Sequence, residues 1–254
     1  MKALGGGFGM NSKILMMVYI FCFFMIGGLS DLCKASPFRD PGIPDGETIT
    51  YASRVDDISM KVVETVRIIQ VGTRACYEIT SLSDALDRIL TLDKETMSIV
   101  SVHTVRKFPR ATLDSHLQVK NEQPSSGKEE VILADFSGLI YIFRGFLFSE
   151  LEQVKIGFYG EERRRSFGFS ASNKKTEKIT VNQAIIDCYK IEFGLDGFWG
   201  TFFPKMNVWY SVDPPHYMVR YQGLVGPPGS PKRDMQVMSY TVTVSEPLKA
   251  EHNL

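Results

Sequence analysis

The chain has 254 residues, with 29 basic and 29 acidic side chains, so its formal net charge is zero at neutral pH. This balance excludes the broad positive surface with which proteins bind nucleic acid, and we predict no nucleic-acid partner. A hydrophobic content of 44% is that of a chain with a buried core, not of a disordered one.

The N-terminal segment, residues 1–35, has the pattern of a signal peptide. A basic start precedes an apolar run at 14–26, which is long enough for a signal core but short for a membrane span of about 20 residues. We predict cleavage after Ala35 and a location in the periplasm or elsewhere outside the cytoplasm. The alternative is an uncleaved inner-membrane anchor at 14–29, which would then be the protein's membrane contact.

Residues 36–245 suit one β-rich domain, followed by a flexible polar tail at 246–254. An irregular lead-in, rich in proline and glycine, precedes the first strand. The predicted strands in the first half of the chain are 47–53, 60–71, 74–82, 89–92, 98–106 and 112–119, with a short strand or lead-in at 130–134. Apolar residues in 60–71 also fit a helical period, but its β-branched side chains favour a strand.

The stretch Asp135–Phe148 interrupts this pattern and predicts one short central helix. Its apolar residues at i, i+3, i+4 and i+7 are Phe136, Leu139, Ile140 and Phe143. Because the stretch is apolar almost all round, we expect the helix to be buried. It would then be a plug on the concave side of a curved sheet. The alternative is a pair of strands broken at Gly138 and Gly145.

Strands resume after the helix. They are predicted at 154–159, 165–170, 178–181, 184–193, 205–212, 217–222 and 235–244. Short strands with hairpin-like turns indicate an antiparallel meander and argue against an α/β fold. The predicted fold is mainly β: a twisted antiparallel half-barrel wrapped around one short central helix.

Motifs for catalysis or cofactor binding are not found in the sequence. The histidines lack the spacing of metal ligands, and no phosphate-binding loop follows a strand. Asp114-Ser115-His116 cannot form a triad within one strand, because alternate side chains face opposite ways. We therefore predict no enzyme, no metal and no cofactor. Cys76 and Cys188 either pair as a disulfide in an oxidising compartment or remain separate thiols.

Aromatic residues are dense at 193–210. One interpretation is a loop packed over the edge of the sheet, which buries its rings in the core. The functional alternative is a rim that grips an apolar ligand, since leaving so many large apolar side chains exposed is unusual without a partner. The rim would consist of Phe198, Trp199, Phe202 and Phe203.

The order of several short motifs resembles a known family. The motifs are Gly46-Glu47-xxx-Tyr51, Tyr77-Glu78-Ile79, Asp135-xx-Gly138-Leu139-Ile140-Tyr141-xx-Arg144, Asp187-Cys188-Tyr189-Lys190-Ile191-Glu192 and Val208-Trp209-Tyr210-Ser211-Val212-Asp213. They resemble an uncharacterised family of exported bacterial proteins, known mainly as a domain of unknown function, whose fold is similar to the half-barrels of periplasmic lipoprotein carriers. The chain departs from the family at Pro214-Pro215-His216 and in the aromatic loop 197–204.

The resemblance implies a sheet curled around the 135–148 helix, in the envelope of a Gram-negative bacterium, without catalytic residues to transfer. Our leading hypothesis is a carrier that binds a lipid or acyl chain, with the four apolar helix residues lining its interior and the four rim residues guarding its mouth. The alternative is an assembly or scaffold protein that has no ligand cavity and binds another protein, such as a lipoprotein, through an exposed sheet edge.

Overall fold

The structure is a computed structural model that describes residues 36–108, 111–119, 130–133, 138–159, 165–196, 200, 204–225 and 229–243. Contacts within the chain divide it into two units, Met1–Ser36 and Pro37–Leu254, and the described fold belongs to the second. The predicted signal segment and the predicted tail at 246–254 lie outside the described residues.

One large sheet dominates the described part of the chain. Its strands are β1 (Glu47–Val55), β2 (Ile58–Val71), β3 (Arg74–Leu82), β4 (Leu86–Asp93), β5 (Ile99–Phe108), β6 (Ala111–Gln118), β7 (Glu130–Leu133), β8 (Gln153–Tyr159), β9 (Arg165–Asn173), β10 (Glu177–Val181), β11 (Ala184–Leu195), β12 (Met206–Ser211), β13 (Met218–Leu224) and β14 (Lys232–Val242). Their order is β6-β5-β4-β3-β2-β1-β14-β13-β12-β11-β9-β8-β7, with β10 paired to β11 beside this path.

The sheet is an open half-barrel. Strands β6 and β7 form its two ends and do not pair with each other in the described residues, so the sheet is not closed into a barrel. The fold class predicted from the sequence is confirmed, and 60–71 is a strand. The exception to the antiparallel pattern is β7, which pairs with β8 in the parallel direction.

Alternation along the strands explains why the sheet has one buried face. In β1, Glu47, Ile49, Tyr51 and Ser53 are buried, while the residues between them are more exposed. Successive side chains of a strand point to opposite faces, so these four line the concave side. Two of the four are polar, which is unusual for a core face and requires buried partners.

The central helix is buried but shorter than predicted. Helix α1 (Leu139–Ile142) continues into a 3₁₀ turn, Phe143–Gly145, and Phe146 is already extended. We call residues 139–146 the plug. The predicted first turn, including Phe136, lies outside the described residues. The helix ends early because Phe146 forms an antiparallel bridge with Phe38.

The lead-in at 36–46 is irregular, as predicted, but it also belongs to the core. Phe38 and Ile43 are both buried, and the ring of Phe38 packs edge-on against Phe143 with 5.2 Å between centroids. The amide of Arg39 donates to the carbonyl of Gly145 at 2.8 Å. The lead-in therefore holds one side of the plug while the sheet holds the other.

Candidate functional site

Two polar side chains of the plug reach buried glutamates on neighbouring strands. Arg144 donates from Nη1 and Nη2 to the two carboxylate oxygens of Glu47 at 2.6 and 2.8 Å. Tyr141 donates its hydroxyl to Glu64 Oε1 at 2.5 Å. Since Glu64 pairs with Ile49, the two glutamates are diagonal neighbours on β1 and β2. The spacing of Tyr141 and Arg144 along one helical turn lets each reach one of them.

A third group completes this network. Ser81 on β3 lies directly opposite Glu64, and its Oγ is 2.9 Å from the Tyr141 hydroxyl oxygen and 3.3 Å from Glu64 Oε1. We call Glu47, Glu64, Ser81, Tyr141 and Arg144 the interior polar network. Each of its members is at most 5% exposed, so the polar groups depend on one another and not on water.

Burial sets the protonation of the network. Burial raises the pKa of Glu64 above its usual range, although the hydrogen bonds from Tyr141 and Ser81 act in the opposite direction. Burial alone would lower the pKa of Arg144, but the hydrogen bonds and the charge of Glu47 reverse this and raise it. Arg144 therefore keeps its charge beside Glu47 although both side chains are buried. For Glu64, burial favours the neutral form of the carboxyl group.

Aromatic rings fill the space around the plug. Phe143 packs edge-on against Phe193 of β11 with 4.8 Å between ring centroids, and Phe148 stacks on Tyr189 at 4.4 Å. The hydroxyl of Tyr210 donates to the backbone carbonyl of Ile140 at 2.7 Å. The contacts of Phe143 and Ile140 bind the plug to the second half of the sheet, and the stacking of Phe148 fixes the segment that follows it.

A cavity of about 10 Å³ lies beside the plug, lined by Tyr51, Glu64, Ile140, Tyr141, Arg144 and Met218. This volume accommodates about one water molecule. Sites for organic ligands usually measure roughly 300–1,000 Å³. The cavity is thus far too small for an acyl chain.

The predicted interior residues take different positions. Leu139 and Phe143 are fully packed in the core, and Ile140 is half-buried against the cavity. Phe136 and the four predicted rim residues Phe198, Trp199, Phe202 and Phe203 lie outside the described residues. The structure therefore brings Leu139, Ile140 and Phe143 together as packing residues of one plug.

The two cysteines of the domain are free thiols, and both are buried. Of the two alternatives left open by the sequence, the structure contains the separate thiols and not the disulfide. The reason is topological: Cys76 belongs to β3 and Cys188 to β11, which are not neighbours in the sheet.

Trp209, from the aromatic-rich part of the sequence, has a structural environment of its own. Its Nε1 donates to Glu177 at 2.8 Å, while Lys190 and Arg220 lie over the ring at 5.1 and 5.9 Å from its centroid. The indole is therefore buried under cationic side chains. The hydrogen bond to Glu177 satisfies the indole N–H group, so Trp209 is a packing residue of the sheet.

Strand β6 contrasts with the packed interior because every one of its residues is exposed. It is a terminal strand of the sheet and pairs with β5. Leu117 lies opposite the buried Val102, and Leu113 lies opposite Arg106, so both leucines are on the concave side. They are 39% and 50% exposed.

The opposite side of this hairpin carries two histidines. His103 and His116 are direct partners with ring centroids 5.8 Å apart, and His103 Nε2 lies 2.8 Å from Asp114 Oδ1. Within the ranges that the structure describes, no three histidine, cysteine or carboxylate side chains are arranged to hold a metal ion.

The interior polar network was missed by the sequence analysis. A signal for it exists: Tyr141 and Arg144 are polar groups inside an otherwise apolar buried stretch, and such groups need partners. The identity of those partners could not be read from the sequence, because Arg144 and Glu47 are 97 positions apart.

Comparisons with known proteins give fold neighbours alone. No protein-family model matches the chain, and no curated protein matches it significantly. Among the helices that the structure describes, none has the length and apolar character needed to cross a membrane.

Three solved structures are similar to this chain. A β-barrel-like protein of the domain of unknown function DUF1849 from Brucella abortus has a TM-score of 0.44 and 8% identity, covering 78% of this chain and 98% of its own. The hypothetical lipoprotein YmcC from Escherichia coli has a TM-score of 0.32 and 10% identity, and the match covers 87% of this chain and 96% of the YmcC chain. A protein described as exported, with a YmcC-like fold, from Bacteroides fragilis has a TM-score of 0.29 and 10% identity, covering 80% and 99%. Their descriptions state no function: the first names a domain of unknown function, the second a hypothetical lipoprotein and the third an exported protein.

Proposed function

We propose that this protein is a non-catalytic component of the bacterial envelope that binds an extended segment of another protein along strand β6. The observation that carries the proposal is the exposure of every β6 residue at one end of the sheet. The predicted signal segment supports the location outside the cytoplasm.

The backbone of β6 supports binding by strand addition. A terminal strand presents a row of backbone N–H and C=O groups that a further strand can satisfy. Proteins commonly protect such edges with proline, with a bulge or with inward-pointing charges. Strand β6 contains no proline, and its pairing with β5 is regular from Ala111 to Gln118. An added strand would therefore meet a straight template.

The side chains of β6 support the same partner. An apolar row crosses the concave face through directly paired residues: Val66, Ile79, Leu90, Val102 and Leu117. The first four are buried, whereas Leu117 is exposed. A partner strand with an apolar residue opposite Leu117 would continue this row and cover it.

The carrier hypothesis receives less support. An acyl chain needs a cavity many times larger than the one beside the plug. The residues that would have lined it, Leu139 and Phe143, are instead packed against aromatic rings and the sheet. A protein-binding role requires no such cavity.

Site-specific photocrosslinking along 111–118 in the cell envelope tests the proposal. If a partner strand pairs with β6, the crosslinked product should be one defined species. Its yield should alternate between neighbouring positions, because alternate side chains of a strand face opposite ways. Leu117→Lys should abolish the product while leaving the thermal stability of the protein unchanged, since the side chain is exposed.

Ile185→Lys is the matched control, because Ile185 is also an exposed apolar strand residue, 67% exposed, but lies on β11. It should leave the crosslinked product intact. A product that consists of two copies of this chain, or yields without alternation along 111–118, would contradict the proposed partner. A lipid-sized adduct would restore the carrier hypothesis.

A further inference from the structure

The end strand β6 presents two chemically different rows of side chains to an added strand. Side chains of a strand alternate between its two faces, and Leu117 lies opposite the buried Val102, so the odd-numbered residues face the concave side. The concave row is mainly apolar and consists of Ala111, Leu113, Ser115 and Leu117. The row on the opposite, convex side is wholly polar and consists of Thr112, Asp114, His116 and Gln118. Since every one of these residues is exposed, an added strand would contact both rows at once.

Asp114 in the convex row has a carboxylate that its own sheet leaves largely free. The residue directly paired with it on β5 is Val105, which carries no charge. His103 is a diagonal neighbour, and its Nε2 lies 2.8 Å from Asp114 Oδ1, whereas Oδ2 accepts no hydrogen bond from a described residue. The side chain of Asp114 is 67% exposed. A residue directly opposite it on an added strand would have its Cβ about 5 Å away.

Lys107, which lies on the same face of β5, does not compensate this carboxylate. Its Nζ donates to Asp87 Oδ1 at 2.6 Å, on the side away from β6. No lysine or arginine of the described chain forms an ion pair with Asp114, whose contact is with His103. The convex side of the edge therefore offers a carboxylate to a cationic side chain of a partner.

The concave side of the same edge carries the opposite charge. Arg106 is paired directly with Leu113, is exposed and forms no ion pair with a described residue. A basic side chain of an added strand that faced the concave side would approach this like charge, whereas an apolar one would cover the leucines. A slip by one residue exchanges the two faces of a strand. Asp114 and Arg106 thus select the same face and the same register of a partner.

We propose that the segment bound along β6 is an amphipathic strand with apolar residues opposite Leu113 and Leu117 and a lysine or arginine opposite Asp114. In an antiparallel partner this pattern reads apolar-x-x-basic-apolar, and in a parallel partner apolar-basic-x-x-apolar. The inference rests on the proposed function, since it names the kind of segment that the same edge binds.

Photocrosslinking amino acids at Thr112 and His116, on either side of Asp114 in the convex row, identify the segment in the cell envelope. Mass spectrometric sequencing of the crosslinked peptides should find the apolar and basic pattern. A synthetic peptide of the captured segment then gives a Kd with the purified protein. Asp114→Lys should weaken this Kd about fivefold or more, because a cross-strand attraction becomes a repulsion of like charges. A peptide with glutamate in place of its basic residue should regain the affinity for this variant and lose it for the natural chain.

Asp187→Lys is the matched control, because Asp187 is also a strand carboxylate, 64% exposed and 3.9 Å from Lys178, but lies on β11. Its Kd for the peptide should equal that of the natural chain. Asp114→Asn removes the charge without adding a larger side chain and should weaken the Kd about twofold. Thermal unfolding should show the same Tm for all of these variants, since both carboxylates are exposed.

The outcomes separate the inference from the proposed function. A captured segment without a basic residue opposite Asp114, or an unchanged Kd in both Asp114 variants, overturns the inference and leaves strand addition at β6 intact. The absence of any crosslinked product along 111–118 overturns both. An equal loss of affinity in Asp114→Lys and Asp187→Lys indicates attraction by the charge of the whole chain, and it overturns the assigned pairing at β6.

Discussion

Arg144 of the plug and Glu47 of β1 form a buried two-point ion pair, with side chains that are 4% and 0% exposed. The guanidinium also donates from Nε to the carbonyl of Pro215 at 3.2 Å. The pair thus ties the plug both to the first strand and to the turn between β12 and β13. Such a pair fixes one arrangement of the plug, although its net contribution to stability is small when both charges are present.

Removing one partner of this pair should be costly. Glu47→Gln leaves a buried guanidinium without its counterion, so we expect the free energy of unfolding to fall by about 3–5 kcal/mol. Urea denaturation measures it. The control is Glu150→Gln, which breaks a two-point pair with Arg39 at 2.8 and 2.9 Å. The side chains of Arg39 and Glu150 are 61% and 50% exposed, so this loss should be at most about 1 kcal/mol. Equal losses in the two variants would contradict the role of burial.

The double variant Glu47→Leu with Arg144→Met separates the charge from the packing. Both charges are then removed together, so no buried charge remains unpaired. The double variant should be more stable than either single variant, with a coupling energy of up to about 3 kcal/mol. If the losses of the single variants simply add, the two side chains do not act as a pair.

Tyr141→Phe should lower the free energy of unfolding by about 1–3 kcal/mol, because the buried Glu64 loses its shortest hydrogen bond. Urea denaturation at neutral pH measures the change. Tyr189→Phe is the control, since the hydroxyl of Tyr189 makes no hydrogen bond to any described residue. The free energy of unfolding of this variant should equal that of the natural chain. A similar loss in both variants would indicate that the ring, and not the hydroxyl, carries the effect.

Glu64→Gln should change how stability depends on pH. Because burial raises the pKa of Glu64 above the usual value of 4.5, the folded protein holds this proton more tightly than the unfolded chain. The contribution of Glu64 to stability is therefore present below the unfolded pKa and is lost as pH rises through the folded pKa. The Glu64→Gln variant should gain stability relative to the natural chain as pH increases from about 4 towards neutrality.

Glu192→Gln is the control with the opposite sign. The hydrogen bond from Lys205 lowers the pKa of Glu192, so its stabilisation is present above the unfolded pKa and is lost as pH falls. The deficit of this variant should shrink towards acid pH. Unfolding free energies of both variants, measured from about pH 3 to pH 7, should diverge in opposite directions. Parallel curves would contradict the assigned burial of Glu64.

The burial of Cys76 and Cys188 predicts that their thiols resist alkylation in the folded protein. Burial raises the pKa of Cys188 to about 12, and burial followed by the charge of Asp93 raises the pKa of Cys76. Since the thiolate is the reactive form, iodoacetamide should label neither residue in the folded protein at neutral pH and both after denaturation. Peptide mass mapping distinguishes these sites from Cys22 and Cys33. Recovery of a Cys76–Cys188 linked peptide without reduction would show a disulfide and would contradict the assignment of both cysteines as free thiols.

The strands and the burial of the plug could be predicted because each depends on local pattern. Alternation gives β1 its buried face, and the unbroken apolar character of Leu139 to Phe143 requires burial wherever the stretch lies. The length of the helix could not be predicted. It depends on Phe38, which pairs with Phe146 from more than 100 positions away.

Which side chains pack together inside the sheet could also not be predicted from the sequence. Whether Leu139 and Phe143 line a cavity or a packed core depends on the volumes that meet them, such as the ring of Phe193. Strand register places both Glu64 and Arg88 opposite Ser81, and a single sequence does not specify that register. The carrier hypothesis followed from the family resemblance and from the apolar residues of the helix and the aromatic loop, none of which specifies how distant residues pack around the helix.

Gly145→Ala should separate the lead-in from the plug. An added Cβ at Gly145 would overlap the backbone carbonyl oxygen of Arg39 and lie 2.7 Å from Met97 Cγ. That backbone cannot withdraw freely, because the Arg39 amide donates to the Gly145 carbonyl. We expect urea denaturation to show a loss of about 1–3 kcal/mol, as for overpacked cores. Gly194→Ala is the control, since the nearest atom to its new Cβ, Lys205 Cγ, is 4.0 Å away, and it should change stability by no more than about 0.5 kcal/mol. If Gly145→Ala were as stable as the natural chain, the lead-in would not hold the plug, and the sheet alone would account for its burial.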